Sequence, residues 1–193
     1  MQPLLDWYDA GHRDLPWRSE PAPYRVWVSE IMLQQTRVEA VRGYFSRWMN
    51  ALPDIPALAA ADEAVYTKLW EGLGYYSRVR NLHRAAVLLC EEYGGELPAD
   101  YDRLLALPGV GEYTAGAVAS IAFGLPVPAV DGNVLRVAAR LDNDFTPITD
   151  AKFKKQTRER FAALMPSDRP GDLNQSLMEL GATVCLPNGA PRC

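Results

Sequence analysis

Three stretches of this 193-residue sequence hold side chains able to do chemistry. The first runs Tyr24-Arg25-Val26-Trp27-Val28-Ser29-Glu30-Ile31-Met32-Leu33-Gln34-Gln35-Thr36. Helical spacing puts Glu30 on one face with Val26, Trp27, Leu33 and Gln34, none of which can pair with it as a cation. A carboxyl group among apolar neighbours holds its proton more tightly, because burial disfavours the charged form. That suits a general acid, or a proton-shuttling base, working near neutral pH. The alternative is a glutamate that faces water.

The second stretch, Val130-Asp131-Gly132-Asn133, stands just ahead of a helical pattern carried by Val134, Leu135, Val137 and Leu141. An aspartate there can cap the orphan amides of the helix. Placed in a cleft, the same carboxylate would face a developing positive charge. The third is Leu107-Pro108-Gly109-Val110-Gly111, followed at once by Tyr113-Thr114-Ala115-Gly116. Two glycines bracket a short turn and a helix begins after it. Backbone N–H groups at such a helix start, with the dipole behind them, favour an anion, and glycine lets a phosphate come close. The other reading is a tight connection between two helices.

These stretches have to be positioned by helices. Helical periodicity recurs along the chain and no segment alternates apolar and polar residues over any length. One helix is expected from Val26 to Gln34, and the next carries Val38, Val41, Phe45, Trp48 and Leu52 as one stripe. Asp62 is expected to cap a helix bearing Val65, Leu69 and Trp70. A longer one should run from Ser77 to Tyr93, stopped by Gly94 and Gly95. Further helices are expected from Asp100 toward Pro108, from Gly111 to Phe123, and over Val134–Leu141, Ala151–Met165 and Leu173–Gly181. The fold class is all-α. Proline-rich stretches around Pro21, Pro23, Pro126 and Pro128 mark crossing points between two lobes.

The composition fits one large domain or two small lobes of an ordinary globular protein, with 48% hydrophobic and 23% charged residues. The longest apolar run, Ala115 to Phe123, is too short to span a bilayer. The opening residues, with Gln2, Pro3 and Asp6, do not read as a signal peptide, which leaves a cytoplasmic setting as the expectation. The net charge of −4 argues mildly against nucleic acid when averaged over the surface. The basic residues nevertheless cluster: Arg37, Arg42 and Arg47; Arg78, Arg80, His83 and Arg84; and Lys152, Lys154, Lys155, Arg158 and Arg160. Cys90 reads as a buried small hydrophobe, and Cys185 and Cys193 close the sequence.

Taken together, the motifs resemble the endonuclease III superfamily of helix-hairpin-helix DNA glycosylases, and within it the A/G-specific adenine glycosylases. The likeness rests on Leu15-Pro16-Trp17-Arg18, Ser29 to Thr36, Gly72-Leu73-Gly74-Tyr75-Tyr76, Leu107 to Gly116, Asp131-Gly132-Asn133 and Met178-Glu179-Leu180-Gly181-Ala182, and so covers nearly the whole chain. The resemblance implies a six-helix barrel over residues 21–125 and a second lobe from residues 1–20 and 126–193, with a DNA-binding cleft between them. Double-stranded DNA with A:8-oxoguanine or A:G mispairs would be the partner, met by a monomer, and the adenine would be flipped out of the stack because its glycosidic bond is otherwise out of reach.

By this similarity Glu30 would protonate the adenine and help activate water. Asp131 would stabilise the oxocarbenium-like sugar, and Asn133 would position water or Glu30. Trp17, Arg18 and Glu179 would line the adenine pocket, with Gln34 beside it. Gln35 and Tyr75 would wedge into the base stack. Leu107, Gly109, Val110, Gly111 and Thr114 would form the phosphate-gripping hairpin. Tyr113 sits where bifunctional relatives carry a Schiff-base lysine, and tyrosine forms no imine, so the chemistry would stop at base removal.

Two departures stand against the family pattern. Members usually hold a [4Fe–4S] cluster on four C-terminal cysteines. Here Cys185 and Cys193 match the first two ligands, with a gap one residue longer than the commonest one, and this chain has no cysteines to complete the set. The domain that reads 8-oxoguanine in the opposite strand is also absent from these 193 residues. A hairpin module that binds DNA without chemistry, and a bifunctional pyrimidine-lesion glycosylase, remain as competing readings.

Overall fold

A computed structural model describes residues 1–188 and 190–192; Cys193, expected as a cluster ligand, lies outside the described residues. Among those residues the regular structure is helical and there is no strand, as the periodicity predicts. Eleven helices follow one another: α1 (Gln2–Gly11), α2 (Pro23–Leu33), α3 (Val38–Ala51), α4 (Ile55–Ala59), α5 (Glu63–Trp70), α6 (Ser77–Tyr93), α7 (Tyr101–Leu105), α8 (Glu112–Phe123), α9 (Gly132–Leu141), α10 (Ala151–Ala162) and α11 (Pro170–Thr183). None is long and apolar enough to cross a membrane.

Most boundaries have a local cause. Pro3, Pro23 and Pro170 stand in the first turns of α1, α2 and α11, where a missing N–H costs nothing. Asp54, Asp100, Asp131 and Asp150 cap their helices by accepting a backbone N–H three residues on. Asp62 departs from expectation, since it stands at the N-cap of α5 but its side chain makes no capping bond. Gly94, with φ 65°, ends α6 in the left-handed region and its N–H reaches back to the Leu89 carbonyl. Two helices were not foreseen, α1 and α4, and α10 stops at Ala162 rather than Met165.

The chain divides into two compact units, Met1–Arg13 with Ala119–Cys193, and Asp14–Val118. The boundaries expected from sequence, 20/21 and 125/126, fall a little further along. The continuous unit packs α2 on α3 and α6, α3 on α5, and α4 and α5 on α6. The predicted stripe of α3 is its spine: Val41, Phe45 and Trp48 are fully enclosed, and the Trp48 and Trp70 rings meet edge to face at 5.7 Å. Trp48 Nε1 donates to the Tyr24 hydroxyl, which donates to the Leu52 carbonyl, and burial pushes that phenol's pKa upward. On α5 the buried positions are Tyr66 and Trp70, while Val65 is exposed, so the expected stripe was turned by one residue.

In the discontinuous unit α11 packs on α1 and α9, around Leu5, Val134, Ala138, Phe161, Leu173 and Leu177. Two glycines permit close crossings. A Cβ on Gly171 would lie 2.8 Å from the backbone at Ser120 and Ile121, and one on Gly181 would lie 2.5 Å from Asn133 Cβ. The irregular segment before α9 is braced by one buried side chain. Asn174 donates to Ser120 Oγ and the Val127 carbonyl and accepts from the Ala129 N–H.

Candidate active site

Glu30 lies one turn from the end of α2 and is 6% exposed, which fits the burial expected from its apolar face. The expectation that it lacks a partner is corrected by a residue of another helix. The Tyr113 hydroxyl, from the first turn of α8, donates to Glu30 Oε2 at 2.5 Å. Next to this pair, Gln34 Nε2 donates to Thr114 Oγ1 at 3.3 Å, so the end of α2 and the start of α8 meet through two adjacent side-chain contacts. A buried carboxyl held by a phenol is aimed and kept from bulk water, as proton transfer to a bound base requires.

The turn that launches α8 is the predicted glycine-bracketed hairpin, running from Leu107 to Gly111 between α7 and α8. Gly109 takes φ 77°, and a side chain there would meet Asn81 Cβ of α6 at 2.6 Å, so both backbone and space demand glycine. Leu107 and Val110 point inward and are buried, whereas Gly109 and Gly111 are exposed. The apolar members of the motif therefore anchor the turn and its glycines present it.

Trp17 is buried, its ring edge-on to Phe45 at 5.5 Å, and Arg18 follows it half-buried. The turn they stand on is fixed by Arg25, which donates to the Pro16 carbonyl. Gln35 and Tyr75 are exposed, and both adopt positive φ, 57° and 46°. Few non-glycine residues tolerate that region.

The other unit holds the second carboxylate. Asp131 Oδ1 accepts the Val134 N–H at 2.8 Å and caps α9, and Oδ2 accepts from Asn133 Nδ2 at 2.6 Å. Burial raises the Asp131 pKa above its ordinary 3.8, against the opposing pull of these hydrogen bonds and of the nearby Arg136 charge. Arg136 in turn donates to Asn133 Oδ1, the Gly181 carbonyl and the Cys185 carbonyl, which ties Asn133 to the end of α11. Glu179 is 2% exposed and takes both nitrogens of an Arg13 fork, at 2.7 and 2.9 Å. Sequence reasoning missed Arg13, Arg25 and Arg136, because an arginine that bonds carbonyls or a distant carboxylate leaves no periodic or local signal.

Cys185 is buried and its Sγ accepts from Arg140, while Cys90 on α6 is half-buried rather than enclosed. A [4Fe–4S] cluster needs four thiolates. The three cysteines of this chain do not supply them, and among the described residues no group of three or more His, Cys, Asp or Glu side chains is arranged to hold a metal.

The family described as HhH-GPD superfamily base excision DNA repair protein matches residues 28–165. Adenine DNA glycosylase of Mus musculus is 47% identical over 199 residues, which is 98% of this chain and 38% of the mouse protein. The Homo sapiens enzyme is 46% identical, with 36% of its length covered, and that of Mycolicibacterium smegmatis is 44% identical, with 64% covered. This chain thus spans well under two thirds of the mammalian proteins it matches. Among solved structures, a thermostable thymine-DNA glycosylase superposes with a TM-score of 0.88 at 27% identity, covering 100% of this chain and 88% of its own. An endonuclease III trapped as a covalent DNA intermediate gives 0.83 at 24% identity, covering 100% and 87%.

Proposed function

Since this chain belongs to the HhH-GPD superfamily of base excision DNA repair proteins, we propose that it removes adenine mispaired with 8-oxoguanine or guanine in duplex DNA, by hydrolysing the N-glycosidic bond. The observation that carries the proposal is the Tyr113–Glu30 pair. An amine at position 113 would supply a Schiff-base nucleophile. The phenol supplies none, and its hydroxyl is spent on orienting a buried acid. Identity of 44–47% to adenine DNA glycosylases of three organisms supports the choice of base.

In this reading Glu30 delivers a proton to the flipped adenine, which makes the base a neutral leaving group, and afterwards activates water. Asp131 stabilises the sugar cation, and Asn133 holds the Asp131 carboxylate in register. Trp17, Arg18, Gln34 and Glu179 are the residues that receive the adenine. Gln35 and Tyr75 enter the base stack, and the hairpin from Leu107 to Gly111 with Thr114 grips a backbone phosphate.

Single-turnover adenine release from a duplex with one A:8-oxoguanine pair tests it, with A:G and A:T duplexes and a Glu30→Gln variant alongside. Release from the mispairs that vanishes in Glu30→Gln is the expected result. Borohydride should trap no covalent adduct. Duplex binding without release would favour a non-catalytic hairpin module, and an adduct would favour a bifunctional enzyme.

A further inference from the structure

In the sequence Arg78 reads as one member of a basic cluster with Arg80, His83 and Arg84. The structure sets it apart. Arg80 pairs with Glu63 and Arg84 with Asn81, whereas Arg78 is turned inward from the first turn of α6. Its Nη1 donates to the carbonyls of Ile31 (2.9 Å), Met32 (3.2 Å) and Gln34 (2.5 Å). Its Nη2 donates to those of Leu73 (3.0 Å) and Gly74 (3.3 Å). One guanidinium thus joins two backbone segments, the end of α2 and the turn between α5 and α6. The same group sits over the Trp70 and Tyr75 rings, at 5.3 and 5.6 Å from their centroids.

Each segment is followed at once by a residue in the left-handed region, Gln35 after Gln34 and Tyr75 after Gly74. They are two of the three non-glycine residues with positive φ among the described ones. Such a conformation is unfavourable for a residue with a side chain and persists only where the surroundings impose it. Among the described residues no carboxylate pairs with Arg78, and burial depresses its pKa. A half-buried cation without a counter-charge is an expensive choice if stability alone is served. The fork does what no ion pair would do here, since it fixes two turns against each other.

We propose that Arg78 is a positioning residue for base extrusion: it locks the Gln35 and Tyr75 turns into one rigid pair, so that unstacking of the target base, rather than grip on the duplex, depends on it. The proposal rests on the reading of Gln35 and Tyr75 as the residues that enter the stack. Lysine cannot replace the arginine, because one ammonium has three donors on a single nitrogen and cannot span carbonyls on two sides.

The test uses a duplex with 2-aminopurine at the target position opposite 8-oxoguanine, whose emission rises on unstacking, and anisotropy of the same duplex for affinity. Misplacement of the two turns by about an ångström should cut the emission rise and the single-turnover rate by about tenfold to a hundredfold in Arg78→Lys, with affinity nearly unchanged. Gln35→Ala and Tyr75→Ala, measured alongside, should also reduce the rise. If they do and Arg78→Lys does not, or if affinity falls in step with emission, the positioning role is overturned while the wedge reading stands. If neither alanine variant reduces the rise, or the unmodified protein produces none, both readings fall together. Gly74→Ala carries the same test should Arg78→Lys not fold. Gly74 has φ 71° and no atom within 4 Å of an added Cβ, so the change strains that turn without disturbing the core. Emission lost with affinity kept supports the proposal, and emission unchanged overturns it.

Discussion

Removing the Arg13 side chain while leaving Glu179 in place should destabilise the discontinuous unit more than removing both charges. Glu179 is 2% exposed and takes three hydrogen bonds from Arg13, two from the guanidinium at 2.7 and 2.9 Å and one from its backbone N–H at 3.1 Å. Breaking a buried pair from one side costs about 3–5 kcal/mol, because the remaining charge loses its counter-charge. The Arg13 side chain is 32% exposed, so water reaches the site once it is gone, and the lower end, about 3 kcal/mol, is the better expectation for Arg13→Met. For a chain of this size that corresponds to a melting point lower by about 6–12 °C. The double variant Arg13→Met with Glu179→Leu strands no charge, and should recover more than half of the loss. Calorimetry is the suitable assay, since it resolves separate transitions if the two units melt apart. A loss under about 1 kcal/mol in Arg13→Met, or a double variant no more stable than the single one, would refute the reasoning.

The remaining predictions concern single sites. Gly181→Ala should cost about 1–3 kcal/mol, because its Cβ would lie 2.5 Å from Asn133 Cβ and 3.0 Å from Asn133 Cα; Gly11→Ala, with nothing within 4 Å, should be neutral or raise the melting point slightly. Burial raises the Asp131 pKa above 3.8, so the stability tied to its protonated form is present below that pH and lost as pH rises through the raised value. Asp131→Asn should therefore compare more favourably with the parent at pH 7 than at pH 3.5 by thermal melts, and an equal difference at both would count against the assignment. The same shift predicts that adenine release needing ionised Asp131 begins to fail with falling pH before an ordinary aspartate would, which a pH profile of the single-turnover rate would show. Tyr113→Phe leaves Glu30 without that phenolic donor and should cost about 1–3 kcal/mol of stability, read from denaturant midpoints, together with a slower release step.

The elements that position the site were legible where one residue type has one physical use. The α6 limits, Ser77 and Tyr93, follow from the length of the periodic run and from Gly94, and Gly109 announces its turn because a side chain would strike Asn81. The α5 stripe was misjudged because Tyr66 and Val65 are both apolar, and only packing against α3 and α6 decides which is enclosed. The α1 helix was missed because its apolar face, with Leu5 and Tyr8, finds its partner in α11, far along the sequence. Glu30 was found from its apolar neighbours, but Tyr113 as its donor lies 83 positions away, and helical spacing on α2 carries no information about α8. Arg78 shows the opposite failure, since its sequence neighbourhood suggested a charged surface while its hydrogen bonds all run to main-chain carbonyls.

The division of the chain also sets an order of assembly. The partners of the N-terminal segment arrive late: Asp9 of α1 pairs with Arg169, 160 positions on, and Arg13, just after the helix, with Glu179, 166 positions on. At roughly 5–20 residues per second of synthesis, α1 waits about 8–30 s for α11 to be made. During that interval Asp14–Val118, a compact unit of consecutive residues, can fold behind it. The unit that carries Asp131 is therefore completed last, by closing a loop already shortened by a folded insert. A nascent chain arrested before Pro170 would present the acid Glu30 in a finished unit, with α1 still unpartnered and the second carboxylate not yet braced.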